Sequence, residues 1–343
     1  MKKIKVVQIG TEHDHAGVAM LSLRKLDDIF EVVGYATPDT TDTHLEAWQS
    51  AYAGLRHMTM EEVWAEPGLE AAVIETNEKL LTKYATEAAR HGLHVQMDKP
   101  GGDVLADFET LIQTVKEKNL TFHTGYMYRY NPAVQKAMEI VKSGELGKVY
   151  SVETHMDCIH PKEKREWLGM YQGGMLFFLG CHLVDLTVLL QGVPDEIIPL
   201  NTSTLKDGVT AEDLGFVVFK YPNGVSFMKT CAAEPGGFLR RQLVICCEKG
   251  TIELEPIEYY ADMEHPGSEL CADMRVINDV DGAPWNARAE AVTYGPFDRY
   301  DNMLRSFAQI VRGEKENPWS YDYELQLYKI VLAACGQKVD YKK

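Results

Sequence analysis

The chain lacks the features that mark membrane proteins, disulfide-stabilised proteins and nucleic-acid-binding proteins. It has no apolar run near the roughly 20 residues that cross a bilayer, and its first residues carry no signal-peptide pattern. Its 7 cysteines are scattered without CxxC spacing, which favours reduced thiols and a cytoplasmic protein. A net charge of −16 without a basic stripe argues against nucleic acid as a partner.

The composition is that of an ordinary folded, water-soluble protein. The chain has 343 residues, of which 45% are hydrophobic and 25% charged. Because this length exceeds what one hydrophobic core usually supports, we expect two domains. The pattern of elements changes near residue 125, so we predict a first domain over residues 1–125 and a second over residues 126–343.

The first part of the chain alternates short apolar runs with helical patterns. The runs that we interpret as strands are 6–9, 31–36, 71–75, 94–97 and 121–124. The segment 103–118 places Val104, Phe108, Leu111, Ile112 and Val115 on one helix face. Such alternation predicts a Rossmann-like, doubly wound parallel sheet, in which the loops after the strands share one crevice.

The second part favours an α+β domain with a mostly antiparallel sheet. Two apolar runs, 216–221 and 225–230, flank Pro222-Asn223-Gly224, where we expect a hairpin with positive φ at Asn-Gly. Residues 246–251 indicate a second tight connection. We interpret 263–296 as a long loop or extended excursion. Helices are predicted over 300–312 and 321–334.

Three motifs then resemble a known family. Asp98-Lys99-Pro100 follows the fourth strand, and Tyr128-Arg129-Tyr130-Asn131-Pro132 opens the second domain. Further on come two adjacent glycines and a Gly-x-His-x-x-Asp helix, made by Gly173, Gly174, Gly180, His182 and Asp185. In this order they resemble the glucose-fructose oxidoreductase, inositol dehydrogenase and rhizopine-catabolism (MocA-like) oxidoreductase family. The resemblance spans nearly the whole chain.

The resemblance implies a Rossmann domain, a sheet domain, NAD or NADP as cofactor, and a sugar, cyclitol or related polyol as substrate. It also implies a homo-oligomer. Lys99 would be the acid/base in hydride transfer, with His182 as a second catalytic residue. The implied substrate-binding residues are Tyr128, Arg129, Phe178 and Asp185. Spacing of i and i+3 would let Asp185 orient His182, and Arg129 would either bind substrate or pair with an acid across the domain boundary.

The implied cofactor-binding residues include several departures from the family pattern. They are Gly10, Thr11, Glu12, His13, His15, Thr37, Thr76, Asn77, Asp98, Lys99 and Pro100. The G-x-G-x-x-G loop would need glycine at positions 10, 12 and 15, and only Gly10 is present. The acid expected after the second strand is Thr37, with Asp39 as a substitute. Phe178 stands where the family often has Asp.

These departures leave two alternatives to a dehydrogenase. One is a non-redox, sugar-binding or regulatory descendant that has lost dinucleotide binding. The other is a metal-assisted enzyme using His13 and His15, since two imidazoles beside Asp14 at a strand end are plausible metal ligands. A third interpretation assigns no metal: one histidine caps the following helix and the others face solvent.

Overall fold

The computed structural model describes residues 2–38, 48–264, 269–278, 287 and 289–342. The chain divides into two compact units. The first comprises residues 1–127 and 300–328, and the second comprises 128–299 and 329–343. Segment 300–328, which we assigned to the second domain, thus lies in the first unit. Whether the two units correspond to independently folding domains stays a prediction.

The first unit is built on a six-stranded parallel sheet. Its strands are β1 (Ile4–Ile9), β2 (Phe30–Ala36), β3 (His57–Met58), β4 (Ala71–Ile74), β5 (His94–Met97) and β6 (Phe122–Thr124). They lie in the order β3-β2-β1-β4-β5-β6, and every pairing is parallel. This is the order of a doubly wound dinucleotide-type sheet, and it confirms the predicted fold of the first part.

Five helices connect these strands. They are α1 (Ala16–Lys25), α2 (Gln49–Tyr52), α3 (Met60–Ala65), α4 (Leu81–Arg90) and α5 (Leu105–Glu117). In α5 the predicted face is buried at Phe108, Leu111, Ile112 and Val115. Val104 was wrongly placed on that face: it is the N-cap residue and is 48% exposed, because the helix begins one residue later.

The second unit pairs one large sheet with helices, of which three lie entirely within its described residues. These three are α6 (Pro132–Ser143), α7 (Lys162–Trp167) and α8 (Cys181–Gln191). Local chemistry explains α6: the Asn131 side chain accepts hydrogen bonds from the amides of Ala133 and Val134, and Gly144 ends the helix in the left-handed conformation. A π-helical turn, Leu176–Gly180, runs directly into α8.

The sheet of the second unit is mixed and mostly antiparallel, as predicted. Its strands are β7 (Val149–His155), β8 (Glu196–Pro199), β9 (Leu214–Tyr221), β10 (Gly224–Cys231), β11 (Gln242–Cys247), β12 (Gly250–Leu254), β13 (Tyr259–Tyr260), β14 (Leu270–Asn278) and β15 (Val292–Phe297). The order is β13-β14-β12-β11-β7-β10-β9-β8, with β15 on β14, and β7 with β10 is the parallel pair.

Two details of this sheet differ from the prediction. The segment 263–296 is not a long loop, because its described residues include β14 and most of β15, which pair with each other. The β9–β10 hairpin is confirmed, but Tyr221 pairs with Gly224, so the turn residues are Pro222 and Asn223 and no positive φ is needed. Proline is favourable at the first central position of such a turn.

The tight connection between β11 and β12 is also confirmed.

The last two helices are α9 (Asp301–Val311) and α10 (Tyr321–Ala334). Both predicted helices are confirmed to within one residue at each end. The helix α9 belongs to the first unit, whereas α10 passes from the first unit to the second after Tyr328. Across the described ranges, no helix is both long enough and apolar enough to cross a membrane.

Candidate functional site

The loops after β1, β4 and β5 form the polar centre of the first unit. Parallel strands end at the same edge of a sheet, so Gly10, Glu75 and Asp98 follow their strands side by side. Gly10 has φ +96°, and a Cβ there would lie 2.3 Å from the Thr76 amide nitrogen. Glycine at position 10 is therefore required for the loops after β1 and β4 to meet.

His13 lies at the centre of these loops with 1% of its surface exposed. Its Nδ1 accepts a hydrogen bond from the His15 amide at 3.2 Å, and its Nε2 lies 3.2 Å from the Lys99 carbonyl oxygen. An accepting Nδ1 assigns the proton to Nε2, which donates to that carbonyl. Burial lowers the pKa of His13 to about 3, so the imidazole is neutral at physiological pH.

The Asp98 carboxylate is fully buried and accepts several hydrogen bonds. Its Oδ1 accepts from the Lys99 amide at 2.7 Å, while its Oδ2 accepts from the Tyr300 hydroxyl at 2.6 Å. The same Oδ2 lies 3.3 Å from His15 Nδ1. Burial acts to raise the pKa of Asp98, but His13, His15 and Lys99 outweigh burial and hold it below its usual range.

Glu75 and Lys99 complete this buried charge group. Burial raises the pKa of Glu75 well above its usual range, and the neighbouring Asp98 raises it further. The Lys99 side chain is 1% exposed, and its peptide bond to the buried Pro100 is cis. The structure thus places a buried lysine directly after β5, at the strand edge where the sequence predicts an acid/base.

Of the remaining predicted cofactor residues, Thr76 and Asn77 lie on the loop after β4 and Thr37 lies on the loop after β2. Thr37 follows β2, and its hydroxyl is 2.8 Å from His57 Nε2. Thr76 is buried, and the Asn77 side chain accepts a hydrogen bond from the Lys79 amide. Asp39 lies outside the described residues.

In the second unit, Arg129 and Asp185 form a buried ion pair. The Arg129 Nε lies 3.0 Å from both carboxylate oxygens of Asp185, and its Nη2 lies 2.8 Å from Oδ1. The two side chains are 0% and 1% exposed. Of the two alternatives for Arg129, the structure shows the pairing with an acid, and that acid belongs to the same unit.

His182 is buried on α8 beside Tyr128, with ring centroids 5.0 Å apart and an interplanar angle of 76°. The Tyr128 hydroxyl donates to Glu258 Oε1. Two arginines bind the same carboxylate: Arg241 Nη1 lies 2.7 Å from Oε1 and Arg299 Nε lies 2.8 Å from Oε2. Tyr128 therefore connects the helix that carries His182 to a buried charge cluster.

This cluster predicts a pH dependence of stability. Burial alone would raise the pKa of Glu258, but Arg299 and Arg241 hold it at about 2. Because an unfolded glutamate has a pKa of about 4.3, the ionised group stabilises the fold fully above that pH. We expect roughly 3 kcal/mol of the free energy of unfolding to disappear as the pH falls from about 4.5 to about 2.

Urea unfolding across that pH range measures this loss. The variant Glu258→Gln should be less stable at neutral pH and should lack this part of the pH dependence. The exposed Glu316→Gln variant is the matched control and should keep the wild-type slope. A Glu258→Gln variant with the full wild-type pH dependence would contradict the assignment.

Phe178 lies on the π-helical turn, 5% exposed. Its ring contacts Trp167 with centroids 5.5 Å apart, and the Lys164 ammonium lies 4.6 Å from its centroid. At position 178 this chain therefore has an aromatic ring packed against another ring and one cation.

The comparisons with known proteins decide the family. Residues 4–126 match the family model described as an oxidoreductase family with an NAD-binding Rossmann fold, and residues 134–253 match the GFO/IDH/MocA C-terminal domain. This chain belongs to the GFO/IDH/MocA family. The resemblance that the motifs suggested is thereby confirmed.

Individual relatives of this GFO/IDH/MocA protein include named dehydrogenases. It is 28% identical to D-xylose 1-dehydrogenase (NADP(+)) 2 of Haloferax volcanii over 48% of this chain and 51% of the relative. It is 23% identical to scyllo-inositol 2-dehydrogenase (NADP(+)) of Bacillus subtilis over 40% of this chain and 39% of the relative. The matches span 40% to 54% of the first curated relatives' lengths.

A solved structure shares the fold over almost the whole chain. It is the aldose-aldose oxidoreductase of Caulobacter crescentus, with a TM-score of 0.75 and 17% identity, covering 98% of each chain. At this identity the likeness concerns the fold.

The first loop fits the dinucleotide that the family model implies. The Thr11 hydroxyl is buried and, among the residues that the structure describes, has no hydrogen-bond partner. The N-cap residue of α1 is His15, whose side chain makes no capping hydrogen bond, contrary to the capping interpretation, so the helix end can bind a phosphate. The Glu12 carboxylate accepts the Thr11 amide at 2.8 Å and thus turns back onto the loop.

Sequence reasoning missed several residues of these sites, among them Glu75, Tyr300 and Glu258. Glu75 was assigned to the end of a strand, although a carboxylate directly after a parallel strand is itself a signal for the crevice. Tyr300 reaches Asp98 from 202 positions away, and Glu258 reaches Tyr128 from 130 positions away. No local pattern reports such distant contacts.

Proposed function

We propose that this protein is an NAD(P)-dependent oxidoreductase acting on a hydroxyl-bearing carbon of a sugar, cyclitol or related polyol. The observation that carries the proposal is the buried Lys99 in the Asp98-Lys99-Pro100 loop, directly after β5 of a dinucleotide-type sheet. The xylose and scyllo-inositol dehydrogenases among its relatives support this substrate class.

A bound nicotinamide supplies the hydride acceptor or donor for this reaction. The chain must then move one proton, because oxidation of an alcohol releases the hydroxyl proton as the hydride leaves carbon. We assign this proton to Lys99 Nζ. To accept it, Nζ must be the neutral amine, and the Asp98 carboxylate, which accepts the Lys99 amide at 2.7 Å, fixes the backbone from which this side chain extends.

We assign His182 as the second residue that handles the substrate hydroxyl. The ring of Tyr128 packs beside His182. Asp185, three positions further along α8, is bound by Arg129. Because Asp185 is bound by Arg129, we propose that this pair positions α8, while Tyr128 and Phe178 shape the pocket. We further propose a cytoplasmic homo-oligomer with no nucleic-acid partner.

The loop residues have complementary roles in this proposal. We assign Gly10, Thr11 and the amino end of α1 to the pyrophosphate, and Thr37 to the adenosine ribose. Thr76, Asn77 and Pro100 would border the nicotinamide half. Thr37 carries no charge, so it leaves the choice between NAD and NADP open.

Calorimetric titration of the purified protein with NAD⁺, NADH, NADP⁺ and NADPH tests this function. We expect one molecule of at least one cofactor to bind per chain. Thr11→Val removes the buried hydroxyl with little change in shape and should weaken binding, whereas Thr110→Val on the exposed side of α5 should not. Failure of all four cofactors to bind would favour the non-redox alternative.

A further inference from the structure

We propose that the first unit contains a binding site for a divalent first-row transition-metal ion. Its ligand atoms are His13 Nδ1, His15 Nδ1 and Asp98 Oδ2, with Glu75 Oε2 as a fourth donor. The first three residues offer atoms that all lie within 4.8 Å of one another. This inference goes beyond the proposed dehydrogenase and does not rest on it.

The spacing of the donor atoms fits one ion. A tetrahedral ion with bonds of about 2.1 Å separates its ligand atoms by about 3.4 Å. Asp98 Oδ2 lies 3.3 Å from His15 Nδ1 and 3.6 Å from His13 Nδ1. Glu75 Oε2 also lies 3.6 Å from His13 Nδ1. These three separations are close to the spacing expected around such an ion.

The hydrogen bonds around the donor atoms resemble those that orient the ligands of a metal ion. A histidine ligand usually donates its second ring N–H to a carbonyl or carboxylate, which fixes the tautomer. His13 Nε2 already faces the Lys99 carbonyl at 3.2 Å, so Nδ1 carries the lone pair. Metal binding would replace the 3.2 Å hydrogen bond that His13 Nδ1 now accepts from the His15 amide and the 3.3 Å contact between His15 Nδ1 and Asp98 Oδ2.

The charge balance of the cluster also favours a cation. Glu75, Glu78 and Asp98 are each at most 2% exposed as residues, and Lys99 is the buried lysine beside them. Glu75 Oε2 is buried with no hydrogen-bond partner in the described part of the chain. Glu75 Oε2 and Asp98 Oδ2 each lie 3.6 Å from His13 Nδ1, so a divalent ion beside this nitrogen would be within reach of both carboxylates.

The donor set narrows the identity of the ion. Two imidazoles with carboxylate oxygens and no thiolate suit Zn²⁺, Mn²⁺ or Fe²⁺ rather than a soft ion such as Cu⁺. His15 is 20% exposed at its side chain, whereas His13 and Asp98 are completely enclosed. A further oxygen ligand, such as water or a substrate hydroxyl, would therefore enter from the side of His15.

Metal analysis of untagged protein, followed by calorimetry of chelator-treated protein with ZnCl₂ and MnCl₂ alone, tests the site without any nicotinamide or activity. We expect about one ion per chain. His15→Ala and Asp98→Asn should weaken binding by more than the roughly 10–100-fold that losing an outer-shell partner costs. His91→Ala is the control, since His91 is exposed and stacks on Trp64.

X-ray absorption at the zinc edge of the zinc-loaded wild-type protein tests the ligand set without any variant that has to fold. The wild-type protein should show a nitrogen and oxygen shell. Sulfur ligands, absence of saturable binding, or full affinity in a folded His15→Ala or Asp98→Asn variant would overturn the site. Because these readouts need no cofactor, failure of the metal site and failure of the dehydrogenase proposal are distinguishable.

Discussion

Replacing Lys99 with methionine should lower kcat by about 10²–10⁴-fold on whichever polyol the wild-type protein oxidises. Methionine has a similar length and no amine, so it removes the proton acceptor from a buried position with little change in packing. The affinity for the nicotinamide cofactor should change little, because Lys99 is assigned to the substrate proton. The measurement compares kcat, KM and the cofactor dissociation constant of both proteins.

The exposed Lys118→Met variant is the matched control and should keep the wild-type kcat. If Lys99 had only a structural role, Lys99→Met would instead lower the melting temperature, the affinity for the cofactor and kcat together. A folded Lys99→Met protein with kcat within a few-fold of the wild type would contradict the assignment of Lys99 as the acid/base.

Replacing Arg129 with methionine should lower the free energy of unfolding by about 3–5 kcal/mol. The cause is the Asp185 carboxylate, which is 1% exposed and would be left buried without its cation. Asp185→Leu should cost a comparable amount, because the guanidinium is then the uncompensated group. Chemical unfolding followed by fluorescence and by circular dichroism gives both values and shows whether the transition stays two-state.

The double variant Arg129→Met/Asp185→Leu separates the ion pair from simple packing. With both charges gone, the apolar side chains should restore most of the lost stability, as is often found for buried pairs. The exposed pair of Lys136 and Glu139 serves for comparison, and its removal should change the free energy of unfolding far less, because water screens both charges. Additive losses in the Arg129/Asp185 double variant would contradict the coupling.

The sequence predicted the parallel sheet because five of its six strands are short runs between helical segments, whereas it missed β3, which has only two residues. It predicted the β9–β10 hairpin for a similar reason, since Pro222 and Asn223 separate two β-rich segments. It missed β14 and β15, because their burial depends on neighbouring strands rather than on a continuous apolar run. Tertiary pairing outweighs local pattern at such positions.

The residues of the candidate sites also divide into those that the sequence could predict and those that it could not. Asp98, Lys99 and the histidines of the first loop were predictable, because loops after parallel strands must meet at one edge. The partner of Asp185 was not predictable, because spacing on α8 favoured His182 while the structure pairs Asp185 with Arg129. Arginine was preferred for a physical reason: its planar guanidinium binds both carboxylate oxygens, which an imidazole cannot do.

The measurement that tests the central claim most directly is polyol-dependent reduction of the cofactor that binds best. Purified protein, its cofactor and a panel of aldoses, cyclitols and linear polyols are mixed, and the absorbance of the reduced nicotinamide is followed. We predict turnover with at least one member of the panel and its loss in Lys99→Met. Binding of a cofactor without turnover of any substrate, in either direction, would contradict the assignment of a sugar or polyol oxidoreductase.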